Sequence, residues 1–304
     1  MKKTFYIIAA TSLIIACDPV EEDFSYSGAN VTADELVVSI IQEDVNGQKG
    51  NKISINADGN KVPTQVSNGV QSINSSYGAD LLLFSKGENT VYVRGFNADG
   101  TIVEKQVKVN VDVMNNPVPL QYSLFTNLSE KKWTWDTDLN GGGWGNCGTT
   151  GDGPDLAVNN GGNWWACSPA DLAGQMNHSS TGEPTGEEDP DAYMIWTLKG
   201  LKIKTFATNG TLVRSGTFDF DMSKQIDGWS FGTLTTSAES ILFPWMINGE
   251  GFAPTSFDIL LLNEEKMVLT YTENTMGSWG ECTWWRFKAL GFTATFDGLS
   301  DEAE

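Results

Sequence analysis

Short runs of alternating apolar and polar residues, broken by Gly- and Asn-rich turns, set the strongest limit on this chain. Lys52-Ile53-Ser54-Ile55-Asn56 alternates and stops at Asp58-Gly59. Gln106-Val107-Lys108-Val109-Asn110-Val111-Asp112-Val113 repeats the pattern after the turn Asn97-Ala98-Asp99-Gly100. Successive strand residues point to opposite faces, so such runs make strands with one buried side. With 32 Gly, 11 Trp and only 19% charged residues in 304, the chain reads as all-β and rich in loops. The 39 Asp+Glu outweigh 19 Lys+Arg, which argues against nucleic-acid binding because few cations are available to displace phosphate counterions. A single His leaves His-based metal sites and triads hard to build.

Residues 1–17 read as an export signal. Lys2 and Lys3 form a basic start, and Phe5 to Ile15 form an apolar core too short to span a bilayer. Ile14-Ile15-Ala16-Cys17 resembles a bacterial lipobox, in which cleavage leaves Cys17 to carry the lipid. The acids that follow, Asp18, Glu21, Glu22 and Asp23, resemble the surface-export signal of Bacteroidetes lipoproteins. That resemblance implies an outer-membrane, surface-exposed lipoprotein, with residues 18–32 as a polar tether. Cleavage before Cys17 removes two Lys and takes the net charge from −20 to −22, so the body is not held on an anionic leaflet by charge and the acyl chains are the expected anchor.

Two domains are expected. The run Gly87 to Val113 resembles the closing strands of PKD-type bacterial Ig-like modules, so residues 33–115 are expected to form an Ig-like sandwich acting as a spacer. Asn115-Asn116-Pro117-Val118-Pro119 is a stiff linker. Residues 121–293 hold all 11 Trp, between 133 and 285. Their candidate strands are Lys132–Asp136, Ala192–Leu198, Lys202–Phe206, Leu212–Phe220, Gly228–Thr235, Ile241–Trp245, Ser256–Leu262, Met267–Thr272 and Thr283–Lys288. Such spacing suggests a larger jelly-roll-type β-sandwich. A helix capped by Ser168 is expected near Pro169–Ala173, and residues 294–304 form an acidic tail.

Alternation sorts the tryptophans. Trp285, Phe287 and Ala289 share one face and read as core, with Trp196, Trp133 and Trp135. Trp284, Arg286 and Lys288 share the opposite face, and Trp284 and Arg286 are taken as candidate ligand contacts. Trp229 and Trp245 are left unsorted. Four Trp lie outside the candidate strands: Trp144 between glycines, Trp164 and Trp165 after Asn159-Asn160-Gly161-Gly162-Asn163, and Trp279 in Gly277-Ser278-Trp279-Gly280. Flanking Gly denies each ring local cover, so these four either cap the sandwich edge or face a ligand as flat platforms, with Asn163 beside them. An indole face matches the C–H face of a sugar ring, and each stack should contribute on the order of 1 kcal/mol, as aromatic pairs do.

The lipobox, the PKD-like spacer and a Trp-rich sandwich with Lys132-Trp133-Thr134-Trp135-Asp136, Gly143-Trp144-Gly145 and Trp164-Trp165-Ala166 resemble surface glycan-binding lipoproteins of Bacteroidetes polysaccharide-utilisation systems. The resemblance implies a non-catalytic binder of a polysaccharide or oligosaccharide, working beside an outer-membrane importer and its partner lipoprotein.

Catalysis has weaker support. The acids of Glu183-Pro184-Thr185-Gly186-Glu187-Glu188-Asp189-Pro190-Asp191 read as a solvated or ion-binding loop rather than a spaced catalytic pair. His178 reads as a surface residue. A carbohydrate-active enzyme and a structural adhesin stand as alternatives. Asp136, Asp138 and Asn140, followed by Gly141, match the first half of a calcium loop, but Cys147 stands where an EF-hand needs Glu, so calcium is possible and no other cofactor is expected. Beyond Cys17, the pairings Cys147–Cys167 and Cys147–Cys282 and three free thiols all fit the sequence.

Overall fold

The computed structural model describes residues 28–74, 77–136, 142–148, 164–168, 171–172, 174, 185–247, 252–272 and 281–291. As the alternation requires, it is nearly all β. The first domain contains β1 (Ser39–Val45), β2 (Gln48–Asn56), β3 (Thr64–Ser67), β4 (Ser72–Ile73), β5 (Tyr77–Leu82), β6 (Gly87–Phe96) and β7 (Ile102–Val111). One sheet runs β1-β2-β5 and the other β4-β3-β6-β7. Between them lies an aliphatic core of Ile53, Ile55, Val66, Leu81, Val91, Val93 and Val111. The period-two residues supply it, since alternate positions of β2 and β6 face inward. The linker is docked rather than free: Asn115 and Asn116 donate to the carboxylate of Glu43, and their backbone N–H groups donate to Asn51 Oδ1.

A short helix, α1 (Leu120–Thr126), opens the second domain, with Asn127 in the left-handed region ending it. The strands that follow are β8 (Glu130–Trp135), β9 (Trp144–Gly148), β10 (Trp165–Cys167), β11 (Tyr193–Thr197), β12 (Lys202–Phe206), β13 (Leu212–Asp221), β14 (Thr233–Thr236), β15 (Ser256–Leu262), β16 (Lys266–Thr272) and β17 (Glu281–Leu290). β8 and β9 lie end to end along one edge of β17: Trp135 pairs with Phe287 and Trp144 with Trp285. Where β8 and β9 meet along β17, Asp136 N–H donates to the Arg286 carbonyl and Arg286 N–H donates to the Gly143 carbonyl. From β11 to β17 each strand pairs antiparallel with the next, and β17 returns to β8, so the sheet closes on itself. β10 adds to the free edge of β9.

The jelly-roll crossovers expected of this domain are therefore replaced by a closed meander. The reason is local: connections such as 198–201 and 263–265 return the chain at once to the neighbouring strand. The interior is filled with side chains, as eight-stranded barrels allow. Phe125 of α1 stacks on Trp196 at one end, with ring centroids 5.1 Å apart. At the other end, residues 241–245, expected as a strand, pass through the interior as a plug. The indole N–H of Trp285 donates to the Phe243 carbonyl, and that of Trp144 to the Trp245 carbonyl. A run buried on all sides carries no alternation, and its length alone does not separate strand from plug. The first domain contacts the helix end of the barrel, where Phe84, Val118 and Leu198 form a shared apolar cluster. The plugged end faces away from that contact.

Candidate functional site

The two exposed tryptophans lie at the plugged end. Trp164 is 44% exposed and Trp165 39%, and they are the only exposed Trp among the described residues. Trp165 leans edge-on against Trp144, with centroids 5.7 Å apart and planes at 85°. A Cβ on Gly148 would come within 3.1 Å of the Trp164 ring, so that glycine seats the indole. The register places Trp165 opposite Asn146, Asn146 opposite Thr283 and Thr283 opposite Tyr271. Directly opposed residues share a face, so one row crosses four strands, spanning about 14 Å at ~4.8 Å per strand step. Phe252, also exposed, packs on Tyr271 at 5.3 Å. The row has aromatics at both ends, while Asn146 and Thr283 between them are buried, Thr283 Oγ1 accepting from the Ile247 N–H. Asn146 Nδ2 donates to Glu281 Oε1 at 2.6 Å, and Asn146 Oδ1 is buried without a hydrogen-bond partner. Tyr271 and Phe252 were missed from the sequence: Tyr271 lies in an ordinary strand, and Phe252 has no strand neighbour to assign its side.

Three of the expected contacts are corrected by burial. Trp144 is only 3% exposed and lies in the main core. The glycines around it seat other groups: a Cβ on Gly143 would meet Trp135 at 2.6 Å, and one on Gly145 would strike the Trp284 ring and the Trp165 carbonyl. Trp284 and Arg286 do lie on the face opposite Trp285, but both are buried. Trp229, Ile226, Leu260 and Ala166 cover Trp284 in a second apolar cluster outside the sheet. Arg286 Nη2 donates to the Gly142 carbonyl, and its planar group lies over the Trp284 ring. A strand face that looks outward is solvated only if no loop folds over it, and strand alternation carries no sign of such cover. Asn163 and Trp279 lie outside the described residues, as do Asp138, Asn140, His178, the leader and Cys17.

Asp136, first of the calcium-type residues, is 2% exposed, and its carboxylate lies 3.2 Å from Lys266 Nζ. A carboxylate with a cation at hand has less reason to recruit another. The acidic loop is also corrected in part: Glu187 is fully buried, not solvated. It accepts from Arg214 Nε at 2.9 Å and from Thr205 Oγ1 at 2.7 Å. Burial pushes its carboxyl above the ordinary range, against the pull of Arg214 and Thr205. Such a group fastens the loop to β12 and β13. It is not arranged as half of a carboxylate pair across a groove. No protein-family model and no curated protein matches the chain.

Proposed function

We propose that this chain is a non-catalytic glycan-binding lipoprotein, anchored through Cys17 and holding an extracellular polysaccharide on the rim formed by Trp164 and Trp165. One observation carries the reading. Of the ten described tryptophans, these two adjacent rings alone are exposed, and they are fastened to a rigid strand edge. Flat apolar faces in a fixed place suit the C–H faces of sugar rings. The rim lies on the barrel end remote from the first domain. A tether that enters through that domain would therefore present the rim outward, away from the membrane. Binding is weak per stack and gains from many repeats along one chain. Affinity electrophoresis of the wild-type protein against a panel of soluble polysaccharides tests the proposal. Retardation by at least one glycan supports it, and unretarded migration in all of them rejects it.

A further inference from the structure

We propose that Cys147 and Cys282 form a cross-strand disulfide that locks β9 onto β17. The inference rests on strand register and burial, and stands apart from what the rim binds. The two residues are direct partners in the β9–β17 ladder, and their Sγ atoms lie in direct contact, 2.7 Å apart. Antiparallel partners have Cα atoms about 4.5–5.5 Å apart, inside the span of about 4.4–6.8 Å that a disulfide bridges without moving the backbone. Both are fully buried, packed with Trp229 and Trp284. Cys167 belongs to the main core on the other face, pairs in register with Trp144, and its Sγ contacts the Ser168 carbonyl. Of the two pairings open to the sequence, only Cys147–Cys282 is therefore assembled.

The bond has a clear structural role. β9 is held by β17 on one edge and by the three-residue β10 on the other, and this pair of strands carries Trp164 and Trp165. A covalent link across β9 and β17 fixes that edge and closes a loop of 135 residues, which reduces the freedom of the unfolded chain. Formation is by exchange with an external disulfide, either glutathione disulfide or an oxidised dithiol oxidoreductase. One Cys thiolate attacks it and releases a thiol, leaving a mixed disulfide. The second thiolate then displaces the other half. The two cysteines lose two electrons and two protons, which leave on the two external thiols.

The full-length chain, exported so that it folds in an oxidising compartment, is alkylated in denaturant without reductant, digested and weighed by mass spectrometry. The Cys147 peptide should appear joined to the Cys282 peptide and two hydrogens lighter than the separate pair, with Cys167 alkylated. Alkylation at all three positions, or a Cys147–Cys167 link, overturns the proposal. Reducing the wild type under denaturing conditions and refolding it in the presence of reductant, thiols left unmodified, should lower Tm by on the order of 10 °C. The same treatment should leave the Tm of the Cys147→Ala/Cys282→Ala variant unchanged. A wild-type Tm unmoved by reduction also overturns it.

Discussion

Trp144 and the Trp164–Trp165 pair come from matching sequence surroundings, glycines and asparagines on one or both sides, and end in opposite places. Trp144 is sealed between Trp165, Phe243 and the plug, whereas Trp164 and Trp165 stay open on the rim. A glycine beside an aromatic residue has two meanings. It can leave its neighbour uncovered, or it can make a hollow for a ring brought from elsewhere. Gly143 and Gly145 do the second, taking Trp135 and Trp284 into the space a Cβ would fill. Strand register separates the cases: Trp144 of β9 pairs with the core residue Trp285 of β17, while Trp165 of β10 pairs with Asn146 of β9.

The largest expected effect lies on the interior side of this contrast. Trp285→Ala empties a site next to Phe257 and removes the donor to the Phe243 carbonyl, and should cost about 4 kcal/mol, read by chemical denaturation. Gly145→Ala tests the hollow itself. Its Cβ meets the Trp284 ring and the Trp165 carbonyl, so a loss of about 2 kcal/mol is expected, with a red-shifted tryptophan emission. Lys131 probes the helix end. Its Nζ donates to the Leu124 carbonyl and lies over the Trp133 ring, and burial brings its pKa down to about 8. Because this value is below the unfolded one, the folded state binds fewer protons above about pH 8. Stability should rise by about 1 kcal/mol between that pH and about 10.5, an increment absent in Lys131→Met. The rim is the milder counterpart: Trp164→Ala with Trp165→Ala should cost less per ring than Trp285→Ala, because about two fifths of each indole already lies in water.

Much of this was legible in the sequence, for identifiable reasons. The first domain could be read because its strands keep one wet face, so Val107, Val109 and Val111 declare their period. In the second domain the alternation of Trp133 and Trp135, and of Trp285 and Phe287, placed four rings in the core correctly. The plug at 241–245 was misread because full burial erases alternation. β9 was missed because Trp144-Gly145-Asn146-Cys147-Gly148 looks like a turn when its partner, β17, is out of view. The burial of Trp284 and Arg286 depends on loops that fold over the outer face, contacts between residues far apart in sequence. The exposure of Trp164 and Trp165 was readable, whereas the cross-strand row linking Trp165 to Tyr271 needed the register.

The central claim is that the rim indoles, not the buried ones, carry binding. Affinity electrophoresis of Trp164→Ala/Trp165→Ala beside the wild type, in the glycan that retards the wild type most, tests it directly. Two stacks of about 1 kcal/mol each predict a roughly 30-fold weaker apparent affinity in a variant that keeps its fold, read by circular dichroism. Retardation equal to that of the wild type would contradict the account.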